Sequence, residues 1–162
     1  NGAQYDANIA NTSDGDFVVV WNTYKSHYNY SVDARRFDAT GTPLGDQFSV
    51  STAGQYSLDP DVVADPNGGF VIVWSAECGY YCYDEPFARR YANDGTALGP
   101  AIMLEPEIQF KQEQPVAAIN GDGHMLAAWY DETSGVFDVR GAVYATSVNT
   151  PICVGGSRAA KR

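Results

Sequence analysis

Three stretches that each follow a tryptophan gather the side chains best suited to recognition. Residues 22–30, 75–85 and 130–137 hold Tyr24, His27, Tyr28, Tyr30, Tyr80, Tyr81, Tyr83 and Tyr130, interleaved with Asp84, Glu85, Asp131 and Glu132. Aromatic faces beside carboxylates can stack on sugar rings while bonding their hydroxyls, and they also anchor protein interfaces. Packing of the loops against one another is the third reading of the same tyrosines. A second set of oxygens lies in turns. Asp14, Asp16, Asn120 and Asp122 surround glycines, as the ligands of calcium loops do. No full ligand set is present, and Asp-Gly and Asn-Gly are favoured hairpin residues in their own right. Calcium is therefore the one cofactor these turns admit, and turn formation is their simpler role.

Catalytic motifs are missing. There is no Gly-x-Ser-x-Gly elbow and no His-Glu-x-x-His, and neither His27 nor His124 has a nucleophile at a recognised spacing. A carboxylate pair for glycoside cleavage could be drawn from the 20 acidic residues, but nothing in the sequence selects one. The three cysteines are an odd number. Cys78 and Cys82, in Cys-Gly-Tyr-Tyr-Cys, are expected to close a small disulfide loop, with zinc as the rival and Cys153 left free or linked to another chain. Arg35-Arg36 and Arg89-Arg90 sit on expected strands, where neighbours point to opposite faces. One of each pair should face an adjacent unit and meet an acidic residue there, with Asp33 or Asp38 as partners for the first pair, while the other reaches solvent.

The elements that must position these residues follow from a repeat. Asp14-Gly-Asp-Phe-Val-Val-Val-Trp21 returns as Asn67-Gly-Gly-Phe-Val-Ile-Val-Trp74 and again as Asp122-Gly-His-Met-Leu-Ala-Ala-Trp129, at intervals of 53 and 55 residues. Such a period suits propeller blades and other stacked β units. The runs 17–21 and 70–74 are continuously apolar and too short for a helix, so they read as strands covered on both faces. Residues 7–10, 61–64 and 116–119 supply a strand before them. Residues 32–38 and 87–92 supply the next one out, and 47–50 and 101–104 the outermost.

The expected fold is all-β: three antiparallel, blade-like sheets over residues 4–55, 56–112 and 113–145, the third incomplete. They form one domain over 1–145, followed by a partly disordered tail, 146–162. A β-sandwich or an open β-repeat array is the alternative. Three blades cannot close a ring that usually has four to eight, so the chain is expected to pair with itself or with another protein chain.

Beyond the tryptophans, Val32-Asp-Ala-Arg-Arg-Phe-Asp-Ala-Thr-Gly-Thr-Pro-Leu-Gly45 matches Phe87-Ala-Arg-Arg-Tyr-Ala-Asn-Asp-Gly-Thr-Ala-Leu-Gly99. Over residues 4–145 the pattern resembles a repeat of large secreted bacterial surface proteins, of the form D-G-G-F-V-V-x-W, A-R-R-F-D, G-T-x-L-G. The resemblance implies secretion and a propeller-like β-repeat fold, and assigns no role.

Charge narrows the partners. The chain carries 20 acidic against 10 basic side chains, a net charge of −10, which disfavours nucleic acid and anionic membrane surfaces. No apolar run approaches the roughly 18 residues of a membrane span. The chain begins without a methionine or a signal-peptide pattern, which fits either a removed leader or a piece of something longer. Together these readings describe an extracellular, non-catalytic β-repeat acting in assembly or protein interaction. A glycan-binding module is the alternative, and a polysaccharide-acting enzyme ranks last.

Overall fold

The protein was analysed as a computed structural model that describes residues 2–26, 29–52, 56–77, 84–105, 111–133 and 135–145. Its strands form three antiparallel sheets in chain order. The first contains β1 (Gln4–Asn11), β2 (Phe17–Ser26), β3 (Asn29–Phe37) and β4 (Phe48–Ser49). The second contains β5 (Ser57–Ala64), β6 (Phe70–Glu77), β7 (Asp84–Tyr91) and β8 (Ile102–Met103). The third contains β9 (Gln112–Ile119), β10 (His124–Thr133) and β11 (Val136–Ala145). Each sheet is a simple meander, and the sheets stack one on the next in an open array. The expected blade-like architecture is therefore present, and the third sheet has three strands among the described residues. The expected tail lies outside them.

The turns repeat as faithfully as the strands. Between β1 and β2, Thr12 N donates to Asp16 O at 2.8 Å and Gly15 N to Thr12 O at 3.0 Å. Asp65, Gly68 and Gly69 make the same pair of bonds between β5 and β6, as do Asn120, Gly123 and His124 between β9 and β10. The glycine in each turn adopts a positive φ, 89° at Gly15, 107° at Gly68 and 78° at Gly123, a region that residues with a Cβ enter only at a cost.

Two cores result. One joins Val18, Val20, Val32 and Ala34 of the first sheet to Phe70, Ile72, Trp74 and Tyr91 of the second. The other joins Val71, Val73 and Ala88 of the second sheet to Met125, Ala127, Trp129 and Tyr144 of the third. Among the described strands only β6 is covered on both faces along its length. In the first sheet Val18 and Val20 are buried, whereas Phe17, Val19 and Trp21 are half-buried. The expectation that 17–21 is sandwiched is thus corrected, because an end sheet has one neighbour.

The arginine pairs obey a repeat rule of their own. The second of each pair reaches the first turn of its own sheet: Arg36 lies 3.6 Å from Asp16, and Arg90 lies 2.6 Å from the buried Asp65. The first turns back on the chain after β3 or β7, Arg35 Nε donating to Gly45 O and Arg89 Nε to Gly99 O, each at 2.9 Å. Neither Asp33 nor Asp38 is the partner. An ion pair within one meander needs no neighbouring sheet, so it survives at the ends of the array.

The turn geometry separates two glycines that look alike in sequence. Gly15 has open space where a Cβ would go, whereas a Cβ on Gly69 would overlap the Tyr91 carbonyl oxygen. Gly15→Ala should cost about 1–2 kcal/mol, the usual penalty of the left-handed region, and Gly69→Ala distinctly more. Urea unfolding of both variants checks this, and equal losses would contradict the close approach at Gly69.

Candidate functional site at the sheet axis

The first strand of each sheet is an edge strand, and the three lie side by side. Each is broken once. Asp6, Asp59 and Gln114 have φ of 54°, 51° and 53°, and among the described residues they are the non-glycine residues with positive φ. Each coincides with a break in strand pairing, between Tyr5 and Asn8, between Leu58 and Asp61, and opposite Ala128 to Tyr130. Pro60 and Pro115 follow two of them, and proline, which has no N–H to offer a ladder, is tolerated at such bulges and edges. A backbone held in this region costs of order 1–3 kcal/mol per residue and tends to persist where a site requires it.

The three breaks meet around one cavity of about 310 Å³, lined by the three-residue segments that begin at Asp6, Asp59 and Gln114. Cross-sheet hydrogen bonds hold its wall. Asn8 Nδ2 donates to Pro60 O at 2.9 Å, Ala117 N donates to Asp61 Oδ2 at 3.1 Å, and Gln114 N donates to Ser75 Oγ at 3.1 Å. Asp6 is oriented by the buried Asn22, whose Nδ2 donates to its Oδ2 at 3.1 Å. Burial pushes the Asp59 carboxyl above the ordinary range, and the charges of Glu113 and Asp6 push it further. Beside this group Lys111 bridges Asp84, at 3.5 Å, and Glu113, at 2.5 Å. Burial and Glu113 raise Asp84 to about 6 even so. The cavity thus has Asp6, Asp59 and Asp61 in its lining, with the Asp59 carboxyl raised above its ordinary range.

Of the tyrosines singled out by sequence, Tyr24 and Tyr30 come together, with ring centroids 5.2 Å apart. Tyr5 and Tyr56 complete the cluster, 6.1 and 4.7 Å from Tyr30, and Tyr5 adjoins Asp6 of the cavity. Tyr130 instead stacks on Phe137 at 5.1 Å in the third sheet. His27, Tyr28, Tyr80, Tyr81 and Tyr83 lie outside the described residues, as do Cys78, Cys82 and Cys153.

The turn oxygens offered as calcium ligands are engaged locally. Thr12 Oγ1 bonds Asp14 at 2.5 Å and holds its carboxyl below the usual range, while Asp16 pairs with Arg36. Asn120 Oδ1 accepts from the backbone of Asp122 and His124, and the Asp122 side chain is exposed. Among the described residues no group of three or more His, Cys, Asp or Glu could hold a metal ion.

Asp6, Asp59 and Gln114 escaped the sequence reading because they precede the apolar runs and look like turn residues. A signal existed, since they recur at intervals of 53 and 55 residues, the intervals of the tryptophans.

No protein-family model matches the chain, and no curated protein sequence matches it. Solved structures do. An endo-arabinase from Bacteroides thetaiotaomicron VPI-5482 superposes with a TM-score of 0.63 at 16% identity, over 92% of this chain and 61% of its own. A thermostable family-43 glycoside hydrolase gives 0.62 at 15% identity, over 99% of this chain and 60% of its own. A Bifidobacterium bifidum s17 protein described as an exo-β-1,3-galactanase gives 0.51 at 17%, over 86% and 46%. The chain thus spans about three fifths of the length of the first two. At such identities the likeness establishes a β-propeller-like fold. It also corrects the expectation of a non-catalytic assembly or interaction module, because the three structures named are an endo-arabinase, a family-43 glycoside hydrolase and a protein described as an exo-β-1,3-galactanase.

One more buried carboxyl lies on β7, next to Asp84 in the chain. Glu85 on β7 has no solvent exposure, and both its oxygens lack a hydrogen-bond partner among the described residues. Burial, then Glu105, Asp131 and Asp84, push it up to about 8. A folded pKa above the unfolded one means that the stabilisation is complete below the unfolded value and is lost as pH rises through the folded one. The thermal midpoint should therefore fall between about pH 5 and pH 9, and Glu85→Gln should flatten that fall and raise the midpoint at the alkaline end. The same slope in both proteins would assign the effect to other groups.

Proposed function

We infer that the chain belongs to a polysaccharide-acting enzyme and that the axial cavity carries its chemistry. The observation behind this reading is the threefold break of the first strands, which brings Asp6 and Asp59 to one cavity, where burial raises the Asp59 carboxyl. Glycoside cleavage needs two carboxyl groups in unlike states. Asp59 would donate a proton to the glycosidic oxygen as the bond to the sugar carbon breaks. Asp6 would accept a proton from the water that attacks that carbon. The fold shared with an endo-arabinase and a family-43 glycoside hydrolase supports the assignment, and so does the tyrosine cluster beside Asp6, which suits a sugar ring. On this reading the protein works outside the cell, where polymers too large to import are met.

Reducing-sugar release from arabinan and from β-1,3-galactan tests the proposal. Asp59→Asn and Asp6→Asn should each lower turnover by about 10²–10⁴-fold, the usual worth of general acid or base catalysis, with the melting temperature little changed. Activity of the unmodified chain should decline as rising pH strips the proton from Asp59. Full turnover in either variant would remove that residue from the mechanism, and no turnover of any polysaccharide by the folded protein would sink the reading.

A further inference from the structure

Val18, Val20 and Asn22 alternate along β2, so they share one face of the first sheet, and none of the three has any solvent exposure. The two valines fill the core against the second sheet. Asn22 instead gives its amide to the edge strand, Nδ2 donating to Asp6 Oδ2 at 3.1 Å. Its own Oδ1 is buried and has no hydrogen-bond partner. An unpaired buried acceptor weakens a fold, and an apolar side chain of similar shape, such as leucine, would avoid that cost. Stability therefore does not account for an asparagine at this place.

The repeat uses the same place differently in each sheet. At intervals of 53 and 55 residues Asn22 becomes Ser75 and Tyr130, just as Asp6 becomes Asp59 and Gln114. In the second sheet the backbone N–H of Gln114 serves both Ser75 Oγ, at 3.1 Å, and the Asp59 carboxyl. The two carboxyls, equivalent by position, thus have unlike supports: a side-chain amide of its own sheet for Asp6, and a backbone amide of the next sheet for Asp59. Their surroundings differ as well. Asp59 is half-buried, whereas Asp6 is exposed on an edge strand, at the break in pairing between Tyr5 and Asn8. An exposed side chain at such a break has little packing to select its rotamer, so a fixed donor matters more to Asp6 than to its counterpart.

We propose that Asn22 is the positioning residue for Asp6: by holding Oδ2 it presents Oδ1 to the water that attacks the sugar carbon. The inference rests on the enzymatic reading above, and it gives Asn22 no contact with the sugar. In the step it serves, the water oxygen bonds to the sugar carbon while the bond from that carbon to the glycosidic oxygen breaks. The proton lost by the water passes to Asp6 Oδ1, and the proton of Asp59 passes to the departing oxygen. A carboxylate free to rotate would meet that water in the productive geometry for only part of the time, so the penalty falls on turnover and not on binding. Asn22 and Asp6 belong to one sheet, and their contact needs no part of the array beyond it.

Asn22→Leu removes the donor and nearly keeps the shape. Its turnover of arabinan or β-1,3-galactan should fall about 10–100-fold with KM unchanged. Melting should hold or rise, because the unpaired Oδ1 leaves with the amide. An effect exerted through Asp6 should also vanish once Asp6 is gone, so in an Asp6→Asn background Asn22→Leu should leave the residual rate where it is. A second measurement needs no substrate and no Asn22 variant: in nuclear magnetic resonance spectra the Asn22 side-chain amide signals should shift in Asp6→Asn. Signals that ignore that change would overturn the proposal. So would full turnover in Asn22→Leu, an equal fold-loss in both backgrounds, or a raised KM together with lowered melting, which would make the role structural; each of these leaves Asp6 as the base. Absence of turnover in the unmodified chain is a different result, which removes the enzymatic reading and the positioning role with it.

Discussion

Val71 and Val73 point to one side of β6 while Ile72 and Trp74 point to the other, and all four are withdrawn from water. A strand greasy on both sides needs two covers, and successive side chains on a strand alternate, so neither cover can be omitted. The neighbours that supply them are copies of the same meander. Burying apolar side chains on this scale contributes roughly 1.5–3 kcal/mol for each large one, which makes the stacking of sheets the dominant favourable interaction in the fold. Everything else is arranged around that requirement, including ion pairs and turns that close within a single sheet.

Stacking also decides where a site shared by the three sheets can form. When meanders pile up in chain order, their first strands are brought side by side, and any departure from regular pairing in one stands beside the matching departure in the next. Asp6, Asp59 and Gln114 are such a set. Their backbone conformation is unfavourable for residues with side chains, and the hydrogen bonds of Asn8, Asp61 and Ser75 across sheets keep the segments in place. The same crowding raises the protonation range of Asp59, since burial and two neighbouring carboxylates act on it together. A site made this way owes its geometry to three segments more than fifty residues apart, which explains why it carries no compact motif.

That separation also accounts for the mistaken functional expectation. Nucleophile elbows, histidine pairs and complete ligand loops are compact motifs, and the sequence contains none of them, so an assembly role is its plainest expectation. The tyrosines drew notice because they cluster in sequence, yet of those described only Tyr24 and Tyr30 come together, and they do so beside Tyr5 and Tyr56, which sequence had not picked out. Tyr130 packs elsewhere. In sequence the carboxylates of the cavity resemble ordinary turn residues, because an Asp before a short apolar run is common in turns.

By itself the sequence determined the strands, the turns and the repeat. These depend on side-chain alternation, on glycines at positive φ and on the recurrence of one phrase at intervals of 53 and 55 residues, all of which act over a few neighbours. The sequence also implied stacking, although not that the first sheet would be covered on only one side. Tertiary structure alone decided which carboxylates meet, that three bulges share one cavity, and that the arginines pair within their own sheets. Those outcomes depend on distances between elements, and such distances follow from how whole sheets pack, a property no local stretch of residues encodes.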